Sequence, residues 1–167
     1  MKRVLYVLLV FLFLASGCIS EDPQTCDDAI VEQPLLIEIA QDNPTAQVER
    51  IVDGDTLVLT NGKKVRLIGI DTPERGEEYF LEAGSMLGKL TLNKTLYLEQ
   101  DVSEKGKYGR WLYYIYTENL FVNAEMVASG YAKSYPYEPD THHSFLFDCL
   151  EEQAKEKKLV IWSKDID

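Results

Sequence analysis

Three patterns of apolar and polar positions follow one another along the chain. Residues 4–15 form an unbroken apolar run. Residues 18–46 are mostly polar and are interrupted by Pro23, Pro34 and Pro44, which break any long element. The exception is the apolar group 35–39, which predicts a short strand or a segment packed on the domain. From about Val48 the pattern becomes one of short alternating segments. Residues 48–59 and 64–70 predict strands joined at Asn61-Gly62, a strong two-residue hairpin signal. Residues 77–92 carry Phe80, Ala83, Leu87 and Leu90 at helical spacing. Residues 95–100 and 111–116 predict two further strands, with a charged loop holding Gly106 and Gly109 between them. Residues 121–129 predict a short helix closed by Gly130. Asp140 or Thr141 predicts the cap of a last helix to about Lys158, with Leu146, Cys149, Leu150 and Ala154 on one face. Trp162 reads as a core residue.

A five-strand antiparallel meander interrupted and followed by about three helices places the chain in the α+β class, mainly β. A five-stranded OB-type barrel suits that order. The domain plan is a signal peptide over 1–17, a lipidated N-terminus and flexible acidic tether over 18–46, and the OB-type domain over 47–167.

The first apolar run is too short to anchor stably across a bilayer. Lys2 and Arg3 precede it and the small residues Ala15-Ser16-Gly17 follow it, the layout of a secretory signal. Cys18 comes next, so the junction resembles the lipobox of prokaryotic lipoproteins, although Ala15 stands where leucine is usual. That resemblance implies lipidation at Cys18 and an exported chain lipid-anchored to the cell membrane. An ordinary signal cleaved nearby is the plainer reading. The chain has three cysteines. With Cys18 lipidated, Cys26 and Cys149 remain as an even pair in an oxidising compartment. A bridge between them is one expectation; Cys149 packed free on its apolar helix face is the other.

Length and composition fit one globular domain: 167 residues, 46% hydrophobic and 27% charged, without repeats. The formal net charge is −11, and loss of residues 1–17, which carry two cations and no acid, takes it to −13. Such a field does not draw in nucleic acid. A polyanion site here must be local, built from few cations and helped by a metal.

Candidate chemistry gathers in three places. Asp53-Gly54-Asp55-Thr56 sets two carboxylates early in a strand, where they need a cation or strong hydrogen bonds. Asp71-Thr72-Pro73-Glu74 follows the strand of Arg66, and Pro73 forces Thr72 into extended geometry, presenting Asp71 and Glu74 at a rim. Carboxylates, a backbone carbonyl and waters make the oxygen set that calcium takes. Lys107-Tyr108-Gly109-Arg110 puts two cations and a phenol in one loop. In-line attack on a phosphodiester needs a base, a cation bridging the phosphate oxygens and guanidinium forks that match their geometry. As plainer readings, Arg66 and Arg110 could pair structurally with Asp71 and Glu74, and the tyrosines could be surface packing.

The order DGDT, R-L-x-G-x-DTPE, KYGR and a closing IWS resembles the staphylococcal nuclease (thermonuclease) family from about Val48 to Asp165. The resemblance implies that Asp55, Asp71 and the carbonyl of Thr72 ligate calcium (Ca2+), with Asp53 nearby. It implies Glu74 as general base or orienter of the attacking water, and Arg66 and Arg110 as clamps on the scissile phosphate. Lys107 and Tyr108 meet a terminal phosphate, and Tyr135 and Tyr137 match a pair that packs on base and sugar. The implied substrate is DNA or RNA; no obligate protein partner is indicated.

Two departures stand out. The stretch after Glu74 is shorter than usual, and the tyrosine pair sits one residue nearer Lys133, with Pro136 between. His142 and His143 read as capping and surface residues pointing to different faces, not as ligands. The alternatives are a catalytically inactive OB module that binds nucleic acid or protein, which suits the negative charge, and a calcium-binding structural lipoprotein, which would not need both arginines.

Overall fold

A computed structural model describes residues 25–31 and 33–163. The signal segment, the lipobox and Cys18 lie outside the described residues. The strands are β1 (Thr45–Ala46), β2 (Val48–Ile51), β3 (Thr56–Leu59), β4 (Lys64–Leu67), β5 (Ile70–Asp71), β6 (Leu96–Glu99), β7 (Trp111–Thr117), β8 (Leu120–Phe121) and β9 (Lys133–Ser134). The helices are α1 (Cys26–Val31), α2 (Gln33–Ala40), α3 (Phe80–Thr91), α4 (Val122–Ala128) and α5 (Ser144–Glu156), followed by a 3₁₀ turn, Val160–Trp162.

The chain is α+β, as the alternation of segments predicts. Its main sheet runs β1-β6-β7-β4-β3-β2, with β8 added to β7. The first and last strands of that path are one stretch of chain separated only by Gln47, whose carbonyl accepts from the Thr60 N–H at 2.9 Å. One segment thus serves both ends of a strongly curled sheet. The meander is not wholly antiparallel. β4 and β7 pair in parallel, Val65 beside Trp111 and Leu67 beside Tyr113. Parallel neighbours need a long crossover, and residues 68–110, which include α3 and β6, provide it.

Inside the curl, Leu57, Leu59, Val65, Leu67, Leu96 and Ile115 are fully buried against Leu87 of α3 and Met126 of α4. Asn123, also buried, donates to the Ile68 carbonyl at 2.8 Å and accepts from the Ile115 N–H at 2.9 Å. It thereby ties α4 to β7 and to the turn between β4 and β5. Gly130 adopts φ +74° after α4, as its place beyond the helix predicts.

Residues 26–31 and 33–40 are helical and packed, where the polar composition predicts a flexible tether. Thr25 and Asp28 form a reciprocal cap on α1: the Asp28 N–H donates to Thr25 Oγ1 at 3.2 Å and that hydroxyl donates back to Asp28 Oδ2 at 2.6 Å. Pro34 falls in the first turn of α2, where its missing N–H breaks no helical bond. The apolar group expected as a strand or packed segment therefore lies in a helix, and Leu36 and Ile37 pack on the core. Cys26 is bridged to Cys149 of α5, with Cα atoms 5.3 Å apart.

Two further expectations change. α5 begins after His143, not after Asp140 or Thr141, because the Asp140 carboxylate is taken by the Ser103 N–H at 2.6 Å. Trp162 is only half-buried: the 3₁₀ turn lies on the surface, with Lys155 and Lys133 Nζ 5.0 and 5.8 Å from its indole.

Candidate active site

The Asp53-Gly54-Asp55 turn links β2 to β3. It is closed by the Val52 and Asp53 N–H groups donating to the Thr56 carbonyl, and by the Asp55 N–H donating to Asp53 Oδ1 at 3.2 Å. Gly54 is required by close approach. A Cβ there would stand 2.7 Å from both Ala83 Cβ on α3 and Thr72 Oγ1.

The turn drives Asp55 inward, to 6% exposure. Its Oδ2 receives the Thr72 N–H and hydroxyl at 3.3 and 3.1 Å and an Arg66 guanidinium nitrogen at 2.9 Å. Its Oδ1 accepts the Thr56 hydroxyl at 2.9 Å. Burial still outweighs these contacts. It pushes the Asp55 carboxyl up to about 6, Arg66 pulling it down and Asp53 adding a like charge.

Arg66 spans two carboxylates. Its second terminal nitrogen donates to Asp71 Oδ1 at 3.0 Å, so residues 16 positions apart in sequence are held on one guanidinium. Asp71 is oriented by β5, which pairs with β9. Gly69, at φ +75° and with a would-be Cβ 2.6 Å from the Phe147 ring, turns the chain from β4 into β5. Its carbonyl accepts the Tyr135 N–H at 2.9 Å and so brings that tyrosine to the same rim.

The rim encloses a cleft of about 350 Å³. Arg66, Asp71, Glu74 and Arg110 face into it from one part; Lys107, Tyr108, Tyr135 and Tyr137 border the rest. Glu74 is exposed, and its carboxylate makes no hydrogen bond or ion pair among the described residues. Only its backbone is engaged, the N–H donating to Glu77 Oε2 at 2.7 Å. Arg110 is held loosely, 3.5 Å from the Thr56 hydroxyl and 5.9 Å from the Tyr108 ring. Tyr108 is 78% exposed and free to meet a ligand. Asp55 and Thr72 do not line this cleft; they stand buried behind Arg66 and Asp71.

The oxygen set of Asp55, Asp71 and Thr72 suits a hard divalent cation. The buried Asp55 carboxyl, raised by burial although Arg66 already touches it, is a group that an added positive charge would stabilise.

The sequence model of the staphylococcal nuclease homologues matches residues 64–164. The chain belongs to the staphylococcal nuclease family. With that it is a hydrolase of the nuclease class. Among its relatives, the thermonuclease of Staphylococcus intermedius is 32% identical over 126 residues, 70% of this chain and 75% of that one. An endonuclease of Bacillus subtilis, YncB, is 38% identical over 128 residues, 70% of this chain and 61% of its own. The SPbeta prophage-derived endonuclease YokF of the same species is 36% identical over 129 residues, 71% of this chain and 44% of its own.

One residue of this nuclease's cleft was invisible as such in the sequence. Asp140, read as a helix cap, lines the cleft fully buried, and its Oδ2 has no partner among the described residues. No local signal marks it. Thr56, the last residue of the DGDT motif, stands behind the cleft and links Asp55 to Arg110.

Proposed function

We propose that the chain is a calcium-dependent nuclease that hydrolyses phosphodiester bonds of DNA and RNA, exported and tethered to the cell membrane by a lipid on Cys18. The observation that supports the catalytic part is a single one. Arg66 joins Asp55 to Asp71 at the edge of a cleft that also holds Arg110 and Glu74, whose carboxylate is unpaired among the described residues. An inactive binding module has no use for all five side chains in that arrangement.

In this reading Asp55, Asp71 and Thr72 hold calcium, which when bound neutralises charge on the phosphate oxygens. Glu74 receives a proton from a water whose oxygen bonds to phosphorus, while the opposite P–O ester bond breaks and the leaving oxygen takes a proton from solvent. The guanidinium of Arg110 forks onto phosphate oxygens and meets the charge that grows on them. Arg66 does the same while it keeps the two carboxylates apart. Lys107 and Tyr108 receive the neighbouring phosphate, and Tyr135 and Tyr137 offer ring faces to an unstacked base.

The test is digestion of single-stranded DNA and RNA by the full chain with calcium and with excess chelator. Cleavage with calcium that chelator abolishes is expected; undiminished cleavage in chelator overturns the metal role. For the anchor, the motivation is Ala15-Ser16-Gly17-Cys18, and among the described residues no helix is long and apolar enough to cross a membrane. Cys18→Ser should shift the protein out of the membrane fraction or block its processing. Mass spectrometry of an unmodified N-terminus elsewhere would reject lipidation.

A further inference from the structure

Where the end of β6 meets the start of α5 stands a second group of ligand-type side chains. The expectation that His142 and His143 diverge rests on their lying within a helix. They do not: α5 starts at Ser144, and His143 has φ −106° and ψ 13°. Freed from helical geometry, the two rings meet edge to face with centroids 4.5 Å apart. His143 is buried, and its Nε2 lies 3.2 and 3.4 Å from the two carboxylate oxygens of Glu99 on β6. His142 is exposed. One ligand atom from each of the three lies within 4.8 Å of the others.

We propose that Glu99, His142 and His143 form a second metal site, for a first-row transition ion such as zinc, separate from the carboxylate cleft. Two imidazoles and one carboxylate are borderline donors that suit zinc and its neighbours rather than calcium. Tetrahedral zinc with bonds of about 2.0–2.1 Å spaces its ligand atoms about 3.3 Å apart. The Glu99–His143 separation already meets that figure, and the ligand atom of the exposed His142, within 4.8 Å of both, would close the remaining distance on binding.

Supporting contacts hold the donors. The Tyr116 hydroxyl donates to Glu99 Oε2 at 2.6 Å, fixing the carboxylate. The His142 N–H donates to Asp101 Oδ2 at 3.0 Å, and Asp101 also accepts the Tyr114 hydroxyl at 2.9 Å, fixing the backbone that presents His142. Three protein ligands leave a fourth position for water. An ion here would clamp the start of α5 to β6, directly after the segment that carries Tyr135 and Tyr137 into the cleft.

The test is titration of the full, untagged chain with cobalt(II) as a spectroscopic probe, then with zinc in competition, in the absence of calcium. Visible absorption typical of four-coordinate cobalt, bleached by zinc, is expected. His142→Ala should weaken binding at least about tenfold without changing the metal-free melting temperature, since that ring is exposed. Asp71→Asn, which alters the other cation site, should leave the cobalt band in place. No band in the parent, a band that survives His142→Ala and Glu99→Gln, or a band lost in Asp71→Asn would each overturn the proposal. None of these outcomes depends on nuclease activity, so the proposal can fail while the calcium-dependent reading stands.

Discussion

Glu74 and Arg66 sit on the same cleft but do different physical work. Glu74 is exposed and its carboxylate is unpaired among the described residues, so it contributes nothing measurable to stability and is available to a water. Glu74→Gln should lower kcat by about 10²–10⁴, the usual worth of a general base, while the melting temperature stays that of the parent. Initial rates on a labelled oligonucleotide check this, and a rate equal to the parent's would remove Glu74 from the mechanism. Arg66 is mostly buried and compensates Asp55. Arg66→Ala leaves that carboxylate in low dielectric with its cation gone, a change that typically costs about 3 kcal/mol or more. Urea unfolding should show the loss, and added calcium should recover part of it by occupying the vacated electrostatic role. Equal stability of the variant and the parent would mean that Asp55 is already neutral in the folded protein.

At the level of elements, the N-terminal helices are the unexpected part of the fold. α1 is held to α5 through Cys26 and Cys149, which are 123 residues apart in sequence. Closing so long a loop in the unfolded chain is worth up to about 4–5 kcal/mol on the chain-entropy argument. Cys26→Ser combined with Cys149→Ala should therefore lower the melting temperature and open α1 and α2 to proteolysis. The cleft is lined by β4, β5 and β7, the loop between β6 and β7 and the segment after β9, and by no residue of α1 or α2, so cleavage by the surviving folded protein should persist. A double variant that melts and resists protease like the parent would show that the bridge does not hold these helices.

For the whole molecule the governing quantity is charge. A net −11 repels nucleic acid, and the cations available to phosphate are the few at the rim, chiefly Lys107, Arg110 and Arg66, which also holds the two carboxylates. About three phosphate contacts on single-stranded DNA correspond to a slope of log affinity against log salt near −2. Binding of a non-cleaved oligonucleotide across a salt series measures it. A slope of −6 or steeper would require a cationic surface that the charge distribution does not offer.

Asp140 apart, the residues that line the candidate cleft were legible in the sequence because they stand in short loops at strand ends. DGDT, DTPE and KYGR each put donor types side by side, and local backbone rules, such as Pro73 acting on Thr72, already say how they are presented. The helices α3, α4 and α5 were legible for a similar reason: their apolar spacing is a local property. What needed the tertiary structure was every feature set by residues meeting from far along the chain. The parallel pairing of β4 with β7 depends on the crossover between them. The folding of 26–31 and 33–40 into helices depends on burial against α5 and the core, which outweighs polar composition and an early proline. The choice between a bridged and a free Cys149 turned on a Cα separation of 5.3 Å. Glu99 meets His142 and His143 only because the sheet brings β6 beneath the start of α5, and periodicity placed those histidines inside a helix they in fact precede. Local pattern determines which chemistry a segment can offer; long-range packing decides which segments share a site.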